Sequence, residues 1–460
     1  MSVAVGSRHE AGVARLVDSF RAIPAGEQVR LAKKTSNLFR SRTATSTKGL
    51  DTSDLTEVIS VDPQGRTADV QGMCTYEHLV AATLGHGLTP LVVPQLRTIT
   101  LGGAVTGLGI ESASWRNGLP HESVLELDVL TGDGEVVTAD PDTRHPDLFF
   151  GFPNSYGTLG YATRLRIALE PVGGTVSLRH VRFHDVDALV EALGSVVAAG
   201  EHSGEAVDYV DGVLFSATEG YLVLGRRTDE PGPTSDYTGE HIYYQSIQHD
   251  GPTPRRDLLT THDYLWRWDT DWFWCSRAFG AQNAHLRRVW PRRWLRSNAY
   301  WRLVALDRRL GVADRLEVAR GRPPRERVVQ DVEVPLAATA QFLRWFLRKV
   351  PIEPVWLCPL RLRSDRAWSL YPLRPGEVYV NVGFWSTVPI DAAAGPAATN
   401  RRIEQEVTTL GGHKSLYSES FYDEDEFARL YGGPAYAGLK ARWDPDGRLP
   451  TLYAKAVGGG

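Results

Sequence analysis

Four glycines, Gly102, Gly103, Gly107 and Gly109, crowd into eight positions of the segment from Pro94 to Ser112. Such a density of residues without side chains fits where a backbone must approach something closely, and the N–H groups left accessible suit an anionic group such as a pyrophosphate. A tightly packed turn would meet the same requirement without any ligand. The order of the glycines does not match GxGxxG, so a Rossmann nucleotide site is not implied. Gly103 and Gly107 have the spacing of a membrane-helix contact, but the apolar run around them is too short to cross a bilayer.

Residues 57 to 170 around that segment alternate between strand and helix signals. Apolar runs at Val58 to Val61, Thr67 to Val70 and Leu91 to Val93 read as strands, and Tyr76 to Leu84, closed by Gly85 and Gly87, reads as a helix. Asp133-Gly134 predicts a hairpin joining Val124 to Leu130 with Glu135 to Thr138. Tyr161 to Leu169 is a further strand, and Pro171 with Gly173-Gly174 marks a boundary. Beyond it, Leu336 to Arg348 reads as an amphipathic helix and Val355 to Leu362 as a strand. Val378 to Phe384 alternates, with Tyr379, Asn381 and Gly383 on one face. From Arg401 to Lys455 the chain is helical and aromatic.

With 460 residues the chain is long enough for two large structural units or three ordinary ones. A formal net charge of -4 removes any whole-protein electrostatic argument for nucleic-acid binding. Cys74, Cys275 and Cys358 are too widely spaced for a zinc site or a redox dithiol, so no metal is expected. The first residues build no export signal and no stretch is apolar enough to span a bilayer, which leads to the expectation of a cytoplasmic address. Asn154 to Gly157 follows Pro153 and is not a nucleophile elbow, and His413 spoils a phosphate loop at Gly411 to Ser415. Charge is distributed unevenly: seven of the 13 Trp lie between residues 262 and 301, and residues 285 to 327 hold 13 Arg and no Lys against four acids. A basic, aromatic stretch of this kind suits anionic lipid headgroups, although a solvated, salt-bridged helix has the same composition.

Two more segments accompany the Gly-rich one: Lys33-Lys34-Thr35-Ser36-Asn37, and Gly157-Thr158-Leu159-Gly160 leading into the strand at Tyr161. Three backbone-donor segments feeding one site are what a large anionic cofactor needs. This constellation resembles the FAD-binding domain of the vanillyl-alcohol oxidase and p-cresol methylhydroxylase superfamily. Within it, Thr100 to Ser112, Gly157 to Gly160, Val329 to Pro335, Pro354 to Pro359 and Ser420 to Phe427 resemble the delta-24 sterol reductases from about Leu31 to Lys455. Two departures are expected from the comparison of segments: no counterpart of the membrane-inserted N-terminal segment of those reductases, and a Lys33 to Leu38 stretch less Gly-rich than usual. The Arg-rich, Lys-poor composition also resembles the actinobacterial reductases that saturate methylene-branched acyl chains on the way to tuberculostearic-type acids.

The resemblance implies an α+β two-domain flavoprotein. Residues 1–172 would form a p-cresol methylhydroxylase-type FAD-binding domain, 173–404 a substrate cap with an antiparallel sheet, and 405–460 a segment returning to the FAD domain. FAD would contact Lys33, Thr35, Ser36, Asn37, Pro94, Thr100, Leu101, Gly102, Gly103, Ala104, Thr106, Gly107, Gly109, Ile110, Glu111, Ser112, Gly157, Thr158, Leu159 and Gly160. No His falls between 87 and 120, where many relatives carry a flavin-linking one, so the expected FAD is non-covalent. The implied activity is NADPH-driven reduction of an isolated C=C in a lipid, with a methylene-branched acyl phospholipid favoured over a sterol. An O2-using alcohol or sugar-lipid oxidase and a non-catalytic flavin- and lipid-binding protein are the alternatives.

An isolated double bond offers no carbonyl to polarise. Protonation of the terminal carbon must therefore lead or accompany delivery of hydride from flavin N5 to the cationic carbon beside it. The expected acid candidates are Glu111, Asp331 and Tyr422, with Glu333 and Tyr379 behind them. Glu111 would equally serve to bind flavin or cap a helix. The Trp cluster at 266 to 274 is expected either to line the lipid channel or to form core. Peripheral attachment to the cytoplasmic membrane through Arg287, Arg288, Arg292, Arg293 and Arg296 completes the expectations, together with a membrane-bound partner protein.

Overall fold

Strand alternation and turn chemistry build two antiparallel sheets that share one core. The computed structural model describes residues 2–32, 49–251, 254–310, 323–390, 394–395 and 397–457. The first sheet contains β1 (Val58–Asp62), β2 (Thr67–Gln71), β3 (Leu88–Pro90), β4 (Val124–Leu130), β5 (Val136–Ala139) and β6 (Tyr161–Pro171). Its order is β1-β2-β6-β4-β5, with β3 beside β6. The Asp-Gly hairpin forms as expected, pairing Leu130 with Val136 and Leu127 with Ala139. The strand expected at Leu91 to Val93 lies three residues earlier, at Leu88–Pro90, because the pairing partner Leu169 to Pro171 sets the register.

After Pro171 the chain enters the second sheet: β7 (Thr175–Phe183), β10 (Tyr209–Ser216), β11 (Glu219–Thr228), β12 (Arg255–Thr260), β13 (Arg325–Pro335), β14 (Val355–Leu360), β15 (Tyr379–Pro389) and β16 (His413–Lys414). A small hairpin of β8 (Glu201–His202) and β9 (Glu205–Ala206) stands apart from it. The eight strands run in the order β12-β7-β11-β10-β14-β15-β13-β16. Both faces of this sheet are buried, and they differ in chemistry.

One face carries Val210, Leu214, Leu222, Val332, Val334, Leu357, Val380, Val382 and Phe384. It is covered by helix Val186–Ala199, which Asp185 caps at its start and left-handed Gly200 ends, and by helix Leu336–Lys349. Thr339, Phe342, Leu343 and Phe346 fall at the i, i+3, i+4, i+7 spacing of a buried stripe, each large apolar side chain contributing about 1.5–3 kcal/mol. The other face turns toward the first sheet, where Tyr209, Val213, Trp356, Cys358 and Tyr379 pack into one core with Val70, Leu127 and Leu165.

The connection between β14 and β15 straps the two units together. Arg363 N–H donates to Glu122 Oε1 (2.8 Å), and Asn154 Nδ2 donates to the Leu370 carbonyl (2.6 Å). The C-terminal stretch serves both units: β16 edges the second sheet beside β13, while in helix Gly433–Trp443 Leu439 packs over Gly151.

Candidate active site

Thr100 caps helix Leu101–Thr106 by accepting from Gly103 N–H (3.3 Å). Three of the glycines that follow are demanded by packing. A Cβ on Gly102 would lie 2.6 Å from the Gly72 carbonyl, one on Gly107 3.0 Å from the Tyr156 ring, and one on Gly109 2.6 Å from Pro94. Gly103 differs: it is exposed, and a Cβ there would meet only the Thr100 hydroxyl. Its freedom from neighbours leaves open space at the start of the helix, while the N–H groups of Leu101, Gly102, Gly103 and Ala104 are held by Cys74, Gly72 and Thr100. Thr106 then meets the second Gly segment, accepting from Gly157 N–H (3.1 Å) on its hydroxyl and from Tyr156 N–H (2.8 Å) on its carbonyl. Gly157 and Gly160 have φ of +76° and +147°, values that favour glycine.

Beyond Gly109 the chain plunges into the seam between the sheets. Ser112 accepts from Val210 N–H of β10 (2.9 Å) on its carbonyl and shares a hydrogen bond with Tyr264 (2.7 Å). Beside it lies a buried ionic cluster. Arg267 Nη1 approaches Glu111 Oε1 (2.8 Å), and Nη2 donates to Asp211 Oδ2 (3.1 Å), which also receives the indole N–H groups of Trp268 and Trp356 (3.2 Å each). The guanidinium lies 3.9 Å from the Tyr264 ring centroid. One cation serves two carboxylates with almost no access to water. Burial pushes Glu111 above its ordinary carboxylate range, Arg267 pulls it back, and Asp211 pushes it up again.

Across the sheet face, register places Asp331 opposite Gly383 and Gly383 opposite Trp356, and Glu333 opposite Asn381 and Asn381 opposite Cys358. Asn381 Nδ2 donates to Asp331 Oδ1 (3.0 Å), Tyr417 also hydrogen-bonds the carboxylate, and Trp385 donates to the Tyr417 hydroxyl (2.9 Å). Glycine is required at 383, because a Cβ there would overlap both Asp331 and the Trp385 ring. Burial raises Asp331 to about 6. Asp331 keeps 9% of its surface open while Glu333 keeps none, so of these two acids only Asp331 retains any exposed surface.

Glu333 accepts from the Ser415 hydroxyl and lies 3.3 Å from His413 Nε2, too far off line for a hydrogen bond. Burial pushes Glu333 well up and His413 down to about 3, so the pair is neutral. His413 continues into an aromatic chain, with ring centroids 6.0 Å to Tyr371 and then 5.4 Å from Tyr371 to His121. On the other side, the rings of Phe273, Trp274, Trp356 and Trp385 pack edge-on or tilted against one another over the sheet.

The structure therefore brings Thr100 to Ser112, the 157–160 turn, Asp331 and Glu333 to one seam. Lys33, Thr35, Ser36 and Asn37 lie outside the described residues. Ala104, Leu101 and Leu159 are core side chains, and the N–H groups of Leu101 and Ala104 are already donated to the Cys74 and Thr100 carbonyls (2.9 Å each). The Thr158 hydroxyl is used locally, donating to the Ser155 carbonyl (2.7 Å). Tyr422 sits in a separate cluster with Leu416, Phe427 and Tyr431. Sequence reasoning missed Asp211, Arg267 and His413 as site residues. Asp211 and Arg267 had a signal, a lone charge inside an apolar strand and a lone Arg between two tryptophans.

Comparison with known proteins points to a flavoprotein. Residues 3–140 match the FAD binding domain family. Delta(24)-sterol reductase of Homo sapiens is 25% identical over 413 residues, covering 87% of this chain and 76% of the relative, and that of Arabidopsis thaliana is 24% identical over 441 residues, covering 89% and 76%. Cytokinin dehydrogenase 6 of Oryza sativa subsp. japonica is 37% identical over 145 residues, covering 31% of this chain and 27% of the relative. The chain is an FAD-dependent oxidoreductase that resembles the delta(24)-sterol reductases.

The residues present fit an FAD. The absent side chain at exposed Gly103 leaves room for a pyrophosphate, with the N–H of that residue held by Thr100. Deeper in the seam, Asn381 Oδ1, His121 Nε2, His413 Nε2 and Trp368 Nε1 are buried without a hydrogen-bond partner among the described residues, which is what a polar ring system meeting that face would supply.

Proposed function

We propose that the enzyme reduces an isolated carbon–carbon double bond in a lipid, and that the lipid is a methylene-branched fatty acyl chain of a phospholipid, converted to its methyl-branched product with NADPH as electron donor. The observation that carries the reading is Asp331: a carboxyl raised to about 6, keeping 9% of its surface open and set beside Asn381 and Trp385 on the sheet face that turns toward the first sheet. A carboxylic acid in such a place holds the proton that an unactivated alkene needs. FAD, when bound, supplies the hydride. Asn381 and Tyr417 aim the Asp331 carboxyl, and the aromatic wall of Phe273, Trp274, Trp356 and Trp385 excludes water and tolerates positive charge on the substrate. Glu111, held by Arg267 and Ser112 N–H, acts in this reading as a positioning residue at the end of the Gly-rich loop, and Asp331 delivers the proton.

A sterol side chain is the second reading, favoured by what the relatives are called. Its double bond asks for the same acid. The test is anaerobic mixing. NADPH should bleach the flavin's visible absorbance, and dioleoyl phospholipid vesicles doped with a methylene-branched acyl chain should restore it with formation of the saturated product. Restoration by a delta-24 sterol and not by the acyl lipid would move the assignment to the second reading. Bleaching by an alcohol with recovery only in O2 would replace both with an oxidase.

A further inference from the structure

The segment from Ala284 to Leu310 contains an outward apolar ridge that no described part of the chain covers. Of the six large hydrophobic residues that the described structure leaves exposed, five lie here: Leu286, Val289, Trp294, Leu303 and Leu306, with Val289 at 77%, Leu306 at 53% and Trp294 at 51%. The segment is nevertheless well anchored. Trp290, Tyr300 and Val304 turn inward onto a small core with Trp272, Phe279 and Ala281. Helix Ser297–Leu310 thus has two faces. Tyr300 and Val304, four residues apart, hold it to the protein, while Leu303 and Leu306, three apart, point away.

The arginines in this stretch divide in the same manner, and here the sequence expectation needs correction. Arg287 is a buried strut, bidentate to Asp271 (2.8 and 3.1 Å), Arg292 pairs with Glu240 (2.8 Å), and Arg296 pairs with Glu77 (2.5 Å). These three are spent on the protein's own carboxylates. Arg288 and Arg293 are exposed and make no ion pair among the described residues, and Arg293 lies over the Trp294 ring at 5.8 Å. They flank Val289 and Trp294 in the chain. Exposed aliphatic groups, a half-exposed indole and guanidinium groups without an ion pair among the described residues, adjacent in the chain, match the interface of a bilayer with anionic headgroups: apolar groups enter the acyl boundary, the indole settles at headgroup level, and the cations meet phosphate.

We infer that Leu286, Val289, Trp294, Leu303 and Leu306, with Arg288 and Arg293, form a monotopic docking surface for an anionic lipid bilayer. The inference rests on the reading that the substrate is a membrane lipid, and it deepens that reading by stating which face meets the membrane. Extraction of an acyl chain from the bilayer exposes each of its CH2 groups to water at a cost. An enzyme seated on the bilayer avoids that barrier.

Flotation of the holoprotein with vesicles tests it. Wild-type protein should float with vesicles of phosphatidylcholine containing phosphatidylglycerol at low salt, should not float with phosphatidylcholine alone, and should be released as salt is raised. Arg288→Gln with Arg293→Gln should lower binding at least about tenfold. Val289→Glu with Trp294→Glu should abolish it, both pairs keeping wild-type flavin content because these side chains lie on the surface. The inference fails if wild-type protein ignores the anionic vesicles, if it binds neutral ones equally, or if either pair leaves binding unchanged. It fails too if Val289→Glu with Trp294→Glu splits a dimer in light scattering, which would make the ridge a self-interface. Flotation needs neither electron donor nor double bond, so it stands or falls separately from the reductase assay.

Discussion

Replacing Asp331 by Asn should make the protein more stable and nearly inactive on lipid, and the two effects have one cause. Burial raises the folded-state pKa from 3.8 to about 6, so the native state holds this proton more tightly than the unfolded chain. Its contribution is therefore most favourable below pH 4, declines as pH rises through 6, and levels off above that. The gap amounts to about 3 kcal/mol of penalty at pH 8, an upper value for what Asn can recover. Asn keeps the acceptor that Asn381 Nδ2 uses, and the Tyr417 hydroxyl can turn to accept from the new amide. The expected gain in urea unfolding is about 1–3 kcal/mol at pH 8, vanishing by pH 4. The same substitution removes the proton. In anaerobic stopped flow the bleaching by NADPH should be unchanged, while lipid-dependent recovery of absorbance should fall by about 10²–10⁴. In wild type, recovery should slow about tenfold per pH unit above 6, and in the variant the residual rate should lose that dependence. A variant that recovers at the wild-type rate, or a wild-type recovery flat from pH 5 to 8, would refute the role of Asp331.

Gly103→Asp should abolish flavin retention, because the exposed backbone there would gain a side chain and a negative charge opposite a pyrophosphate. Purified variant that stays yellow at wild-type stoichiometry would remove this loop from the cofactor site. Acid precipitation of wild type should leave all FAD in the supernatant, and flavin in the pellet would mean a covalent bond. Arg267→Met should destabilise the fold by about 3–5 kcal/mol, since Glu111 and Asp211 would remain buried without their cation, and adding Glu111→Gln should restore part of that loss in urea unfolding. Equal stability of the single and double variants would show that the two carboxylates do not share the guanidinium's charge.

Local signals were enough for the parts of this fold that are local. The Asp133-Gly134 hairpin, the stripe of helix Leu336–Lys349 and the two faces of β15 could be read because turn chemistry and periodicity act within a few residues. The site is different in kind. Asp331 and Glu333 sit two residues apart on one strand face, which the sequence shows, but Asn381 and His413 reach them through sheet register, and Ser415 and Tyr417 through the C-terminal stretch that follows β16. Arg267 shows the same dependence: its neighbours in sequence are tryptophans, and its charges are met by Glu111, 156 residues earlier, and Asp211 of β10. The Arg run between 285 and 327 marks the limit most sharply. Counting charge gave five equivalent arginines at its start, whereas the folded chain spends Arg287, Arg292 and Arg296 on Asp271, Glu240 and Glu77, all of which lie before the run. Whether a charge is structural or free is decided by what the rest of the chain places beside it, and composition carries no record of that. The apolar residues of the same stretch divide for the same reason. Tyr300 is buried and Leu306 is not, although the helix carries both, because Phe279 and Trp290 lie on one side of it.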